Sequence, residues 1–248
     1  MTAVERNICI LGEPPLVEEY TDLCVGKGFS VQLRENVPDR RRRLPGGVTR
    51  VRRPTKTADL ALELTNVDLN VKKKNLVELD AVLNPGTPIV SSSVTVTVAQ
   101  QARWIANPKR LIGIGAFPSF LSGPLLELAA SPLTAKATMS AAREFTKAIG
   151  KETALVQDAV GLVMPRILSM IVNEACFAMA DQVAPRRCID DAMKLGAGYP
   201  LGPLEWAEKV GPRQIRAVLE ALQRGAEHRH YKIAPLLRQA AVRNALPH

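Results

Sequence analysis

Asn7-Ile8-Cys9-Ile10-Leu11-Gly12 is an apolar run closed by a glycine; Leu16 to Lys27 follows, then Gly28, then Ser30-Val31-Gln32-Leu33-Arg34-Glu35. The first run reads as a short strand buried on both faces. The second stretch reads as a helix stopped by Gly28, and the third as another strand. Strand, helix and strand in succession predict a βαβ unit, whose strands lie parallel and are joined by a right-handed crossover.

The alternation continues outward from this opening. Ala58 to Leu64 reads as a strand, Val71 to Leu83 as an amphipathic helix, and Pro88-Ile89-Val90-Ser91-Ser92 as a strand after the Pro85-Gly86 turn. Arg110 to Ile114 reads as a further strand. A helix is expected to start at Ser131-Pro132 and run towards Ile149, with Gly150 stopping it before strand-like Thr153-Ala154-Leu155-Val156. From Gly161 the periodicity becomes helical only, over Met164–Asp181, Arg187–Leu195, Gly202–Val210, Pro212–Arg224 and Ile233–Ala245. The expected fold is α/β: residues 1–157 form a Rossmann-like, doubly wound parallel sheet, and residues 158–248 an all-helical domain. No internal repeat or low-complexity segment interrupts the chain.

With 248 residues, 46% hydrophobic and 23% charged, the chain can bury a substantial core as one large or two modest domains. The N-terminus has no signal-peptide pattern, and no apolar stretch reaches the roughly 18 residues of a membrane span, so a cytoplasmic protein without membrane contact is expected. Cys9, Cys24, Cys176 and Cys188 lack metal-like or CxxC spacing, so neither disulfides nor a metal site are expected. The net charge of +9 favours anionic partners. Much of it sits between Arg40 and Lys56, where Arg40, Arg41, Arg42, Arg43, Arg50, Arg52 and Arg53 surround Leu44-Pro45-Gly46-Gly47. That segment reads either as a solvated loop or as an anion-binding loop near a cofactor cleft. Nucleic acid is disfavoured, because the arginines lack interleaved aromatics in a chain only 4% aromatic.

Ile189-Asp190-Asp191-Ala192-Met193-Lys194-Leu195-Gly196-Ala197-Gly198-Tyr199-Pro200-Leu201-Gly202-Pro203-Leu204-Glu205-Trp206 closely resembles the C-terminal-domain signature of the 3-hydroxyacyl-CoA dehydrogenases. Asp59-Leu60-Ala61-Leu62-Glu63 with Asp68-Leu69-Asn70-Val71-Lys72-Lys73 resembles that family's fourth strand and following helix, and Asp158-Ala159-Val160-Gly161 its entry to the C-terminal domain. The resemblance implies NAD as cofactor, a 3-hydroxyacyl-CoA substrate and a dimer formed through the helical domain. The Gly198 to Pro203 turn is expected to be structural, with Trp206 packed inside the helical domain.

Several positions that carry the family's chemistry differ. The dinucleotide loop becomes Gly12-Glu13-Pro14-Pro15-Leu16-Val17, in which only Gly12 stands. Two prolines remove amide donors, Glu13 brings a negative charge to the pyrophosphate position, and Val17 adds bulk. Glu35 matches the acidic residue expected to hold the adenosine ribose, and Arg34 beside it leaves NADP conceivable. The family's helical excursion after the second strand is replaced by the arginine-rich loop, in which Arg41, Arg42 and Arg43 are candidate contacts for the substrate phosphates. The position of the general-base histidine, in Gly113-Ile114-Gly115-Ala116-Phe117-Pro118-Ser119, is Gly115, while the glutamate that orients it in the family remains as Glu127. Glu127 is either a relic or a replacement base. The substrate-contacting serine becomes Thr95, the preceding asparagine Ser93, and the second asparagine of the site Pro165. Lys72 matches a lysine near the nicotinamide end, but the glutamate expected before it is Val67.

The expectation is a 3-hydroxyacyl-CoA dehydrogenase-like protein of acyl-CoA and fatty-acid metabolism that is impaired or non-catalytic in the family reaction. It would bind an acyl-CoA-like or other phosphate-bearing molecule, as a homodimer or paired with an active relative. The alternative is an active NAD(P)-dependent oxidoreductase of a 3-hydroxyacyl-CoA-type substrate, with Glu127 or Thr95 in the proton transfer.

Overall fold

The computed structural model describes residues 6–38, 41–225 and 231–246, which fall into two compact units. Met1–Ala116 and Phe120–Leu162 belong to the first, Phe117–Ser119 and Val163–His248 to the second.

The first unit follows the apolar runs. It contains β1 (Asn7–Gly12), α1 (Leu16–Gly26), β2 (Ser30–Glu35), β3 (Val48–Arg50), β4 (Leu60–Leu64), α2 (Leu69–Val82), β5 (Ile89–Ser92), α3 (Val98–Ala102), β6 (Leu111–Ile114), β7 (Leu125–Ala129), α4 (Lys136–Ala148) and β8 (Glu152–Val156). These strands make one eight-stranded sheet in the order β3-β2-β1-β4-β5-β6-β7-β8. All neighbours pair in parallel except β6 and β7, where Ile114 faces Leu128 across an antiparallel step.

Alternation along the buried strands sorts side chains to two faces. Ile8 and Ile10 of β1 join Leu16, Val17, Tyr20 and Cys24 of α1 and Phe145 of α4. Cys9 and Leu11 join Leu76 and Leu79 of α2 and Val98 of α3. Helices thus cover both faces, which is why β1 reads as a continuous apolar run rather than as a half-polar one.

Several features depart from the sequence expectation, the unexpected short helix α3 among them. Ser131-Pro132 does not begin a helix. The Ser131 N–H donates to Thr134 Oγ1 at 3.0 Å, and the Thr134 hydroxyl donates to the Leu111 carbonyl of β6 at 2.8 Å. These side-chain bonds fix a turn, and α4 starts only at Lys136. Strand β7 occupies Leu125–Ala129, ahead of that turn, and β3 lies inside the arginine-rich segment, pairing Val48 with Val31.

The second unit contains α5 (Met164–Ala180), α6 (Arg186–Ala197), α7 (Pro203–Val210), α8 (Pro212–Gly225) and α9 (Pro235–Arg243). Helix α5 is central, and its Leu168, Val172 and Cys176 are buried. Asn173 on the same helix donates to the Lys232 carbonyl at 2.8 Å and accepts from the Ala234 N–H at 2.9 Å, tying the entry of α9 to α5. The turn before α7 is held from α6: Asp190 Oδ1 accepts from the Leu204 N–H at 2.8 Å, and Lys194 donates to Glu205 at 2.7 Å. Glu205 in turn accepts from the Gly202 N–H at 2.8 Å. A Cβ on Gly202 would overlap the Asp190 side chain, so the glycine of the turn is a packing requirement. Trp206 is half-buried.

Candidate cofactor and catalytic site

Strand β1 lies between β2 and β4, and the helices that follow β1 and β4 cover opposite faces of the sheet. This is a topological switch point, and the crevice outside the carboxyl ends of β1 and β4 is where doubly wound sheets take their ligands. The two strand ends approach closely. Gly12 has φ +154°, and a Cβ there would stand 2.5 Å from the Leu64 carbonyl oxygen. Any larger residue would push β1 away from β4.

Glu13 crosses the crevice. Its Oε1 accepts from the backbone N–H groups of Asn66 at 3.0 Å and Val67 at 3.1 Å, in the turn between β4 and α2. Paired loop amides are a common way to hold a phosphate oxygen, and here a carboxylate of the chain itself takes them. The start of α1 offers little in compensation. Pro14 and Pro15 have no N–H, the amides of Val17, Glu18 and Glu19 bond back to Glu13 and Pro15, and Glu18 and Glu19 place acids in the first turn. Val17 is fully buried against the core. These residues do not fit a dinucleotide pyrophosphate.

The ribose end is different. The Glu35 side chain is 1% exposed, and one oxygen accepts from Arg50 Nε at 3.2 Å. The other, Oε1, is buried without a hydrogen-bond partner among the described residues. An acceptor of that kind suits a ribose hydroxyl.

Beneath the crevice lies a buried polar network that the sequence reading touched at Arg34, Glu63 and Lys72 without joining them. Lys72 and Glu63 are both fully buried and form an ion pair. Lys72 also donates to the Thr65 carbonyl at 3.1 Å. Glu63 accepts from Ser91 at 3.2 Å and from Asn75 at 3.1 Å, and Asn75 accepts from Arg34 at 2.8 Å. Burial lowers the proton affinity of the Lys72 ammonium, and the Glu63 carboxylate opposes that shift. A glutamate inside the apolar run Leu60–Leu64 was the available signal, because a buried carboxylate needs a cation.

Asn66 organises the next layer. It donates to the Ala116 carbonyl at 2.9 Å and accepts from the Ser92 hydroxyl, while the Thr95 hydroxyl donates to the Asn66 carbonyl at 2.7 Å. Thr95 is thus buried in the scaffold of the loop. Ser93 is buried, its Oγ has no hydrogen-bond partner among the described residues, and it lies where a Cβ on Gly113 would stand.

Gly115 and Glu127 are brought together across the β6–β7 step. The Gly115 N–H donates to the Glu127 carbonyl at 2.8 Å, and the position of a Cβ on Gly115 is 3.2 Å from Glu127 Cβ and 3.6 Å from Glu127 Oε2. Pro165 lies buried in the first turn of α5, in the second unit. Arg42 pairs with Glu18 at 3.3 Å and Asp22 at 3.2 Å on α1, whereas Arg41 and Arg43 are exposed. His228, His230 and His248 lie outside the described residues. Among the described residues no cluster of His, Cys, Asp and Glu could hold a metal, and no helix is long and apolar enough to cross a membrane.

A doubly wound sheet with its crevice at the β1–β4 switch point, followed by an all-helical unit, defines a Rossmann-fold protein with a helical C-terminal domain. The chain belongs to the 3-hydroxyacyl-CoA dehydrogenase family: residues 34–159 match its NAD binding domain and residues 161–247 its C-terminal domain. The first match begins at Arg34, after the β1–α1 segment that carries Gly12 and Glu13. A 3-hydroxybutyryl-CoA dehydrogenase of Bradyrhizobium diazoefficiens is 34% identical over 72% of this chain and 61% of its own length. One from Clostridioides difficile is 31% identical over 77% of this chain and 68% of its own. The match to the first of these relatives therefore spans about three-fifths of that protein. The fold is shared with (S)-3-hydroxybutyryl-CoA dehydrogenase from Ralstonia eutropha, at TM-score 0.79 and 23% identity over 98% of this chain and 95% of that one.

Proposed function

We propose that this chain is a family member impaired or inactive in NAD-dependent oxidation of 3-hydroxyacyl-CoA, and that it serves acyl-CoA metabolism by binding an acyl-CoA-like, phosphate-bearing ligand. It does so as a homodimer or paired with an active relative. The observation that carries this reading is the hydrogen at position 115. Glu127 retains its place beside the position where the family's histidine would project, yet Gly115 offers no base to take the hydroxyl proton. Loss of a positioned acid–base group costs about 10²–10⁴ in rate. Glu13 across the crevice and the prolines of the loop add the loss of a pyrophosphate site. The test is isothermal titration of the protein with NAD, NADH, NADP and a 3-hydroxyacyl-CoA, followed by absorbance of reduced cofactor. Binding of the CoA thioester without a nicotinamide cofactor is expected; reduction of NAD or NADP at rates usual for such enzymes would sink the reading.

One observation favours a second reading. Glu127 Oε2 stands 3.6 Å from the Cβ position on Gly115, so a carboxylate borders the space the imidazole would fill. In that reading Glu127 itself takes the hydroxyl proton, and Thr95, whose hydroxyl already donates to Asn66, keeps a scaffolding role. Turnover abolished by Glu127→Gln and retained in Thr95→Val would support it.

A further inference from the structure

We infer that Glu13 is a specificity-determining residue that acts by exclusion: it is a built-in anion seated on the Asn66 and Val67 amides, and it bars the pyrophosphate of a dinucleotide from the switch-point crevice. The inference deepens the reading above, resting on it for the identity of the excluded ligand.

The Glu13 backbone is fixed on both sides, since its N–H donates to the Leu64 carbonyl at 3.2 Å and its own carbonyl accepts from the Val17 N–H at 3.2 Å. With the backbone at the end of β1, the side chain reaches over the end of β4 and places Oε1 on two adjacent N–H groups. Both amides are thereby satisfied by a full negative charge in a charge-assisted, bifurcated contact. A phosphate entering at the switch point meets the same two donors already taken, and a carboxylate in front of them. Lys72, whose charge Glu13 also senses, lies fully buried beneath and is already paired with Glu63. It therefore adds no cation to the entering phosphate.

The exclusion acts on one half of the crevice. Glu35 keeps a buried oxygen without a hydrogen-bond partner among the described residues at the end of β2, where a ribose hydroxyl would bond. A dinucleotide is thus met by one acceptor that suits its adenosine ribose and one carboxylate that repels its pyrophosphate. Like-charge contact of this kind is a recognised way to reject a ligand.

The experiment compares wild type, Glu13→Gln and Glu13→Ala by titration with ADP, with amide NMR following Asn66 and Val67. Removing the carboxylate frees both donors and lifts the repulsion, so Glu13→Ala is expected to bind ADP at least about tenfold more tightly than wild type. Glu13→Gln keeps an acceptor on the amides without the charge, and a gain of a few-fold is expected. The Asn66 and Val67 resonances should shift on ADP addition in Glu13→Ala and stay unmoved in wild type. A loss of thermal stability with less than a twofold change in ADP affinity in both variants would make Glu13 a loop staple only and overturn the inference. Should Glu13→Ala not fold, Glu13→Gln decides: a threefold gain supports exclusion, and none overturns it. Failure of wild type to bind the 3-hydroxyacyl-CoA would instead sink the functional reading while leaving the ADP gain in Glu13→Ala intact, so the two failures are told apart.

Discussion

Gly115 and Glu127 face each other across the antiparallel step from β6 to β7, with the Gly115 N–H on the Glu127 carbonyl at 2.8 Å and the vacant Cβ direction of Gly115 aimed beside the carboxylate, 3.6 Å from Oε2. On the proposed reading, these are the two positions of a histidine–glutamate couple, in register, with no side chain at one of them. The nearest neighbours to an added Cβ are Glu127 Cβ at 3.2 Å and Leu162 Cδ1 at 3.3 Å, so a side chain needs only small adjustments there.

Gly115→His should therefore fold, and the introduced imidazole should titrate above the ordinary histidine value of about 6.5, because the neighbouring carboxylate favours its charged form. A pH titration of the imidazole resonances reads this directly, and in a Glu127→Gln background the value should fall back. The substitution alone should leave NAD reduction at background, since Glu13 still spans the crevice. Reduction of NAD on this change alone would mean that the crevice admits the cofactor as it stands.

The buried pair below the crevice carries a second prediction. Lys72 and Glu63 are fully buried, so Lys72→Met leaves a carboxylate in the interior with Ser91, Asn75 and the Thr65 N–H as its hydrogen-bond donors among the described residues. Removing one partner of such a pair costs about 3–5 kcal/mol. Denaturant unfolding should show a loss of that size for Lys72→Met and a smaller one for Lys72→Met combined with Glu63→Gln, which removes the orphaned charge. Equal losses in both would show that packing rather than charge dominates.

The parts of this arrangement that could be read from the sequence are those whose cause is local. Strands β1 and β2 were legible to the residue because β1 is an apolar run closed by Gly12, while β2 alternates polar and apolar residues after Gly28 marks the helix stop. Strand β3 was not, since three residues in an arginine-rich segment pair with β2 through the backbone and through one ion pair, Arg50 to Glu35, with no apolar run to announce them. The start of α4 was misplaced because Ser131 and Thr134 spend their hydroxyls on a turn anchored to Leu111, and only the tertiary partner distinguishes that turn from a helix cap. The charge of Glu13 was visible, but its amide partners lie more than fifty residues away, at Asn66 and Val67. The three histidines fall outside the described residues, so the absence of a base at position 115 rests on Gly115 itself.

Thiol chemistry separates the cysteines. Burial pushes the thiols of Cys9, Cys24 and Cys176 up to about 12, so each is a protonated, unreactive thiol at neutral pH. Cys188 is exposed at the start of α6. A thiol reagent at pH 8 should modify one cysteine of the native protein quickly and the other three only after denaturation, and Cys188→Ser should abolish the fast phase. Rapid modification of a second thiol would reveal local opening of the sheet or of α5.

The signature turn in the helical unit joins sequence, packing and pH. Asp190 is buried with its Oδ1 on the Leu204 N–H, and burial raises its carboxyl above the ordinary carboxylate range, opposed by the backbone hydrogen bonds it accepts. A carboxyl whose folded value exceeds its unfolded value of about 3.9 contributes most below that pH, and the contribution is lost as pH rises through the folded value. Asp190→Asn keeps an oxygen acceptor for Leu204 and does not titrate. The stability of wild type relative to Asp190→Asn should accordingly decline as pH rises from about 4 towards neutrality, measured by denaturant unfolding at each pH. A rising difference would mean that the hydrogen bonds from the α7 turn outweigh desolvation, and that Asp190 caps α7 chiefly as a charge. Gly202→Ala checks the same contact sterically: its Cβ would displace the Asp190 side chain, with an expected cost of about 1–3 kcal/mol that should shrink in an Asp190→Ala background, where the obstructing carboxylate is gone.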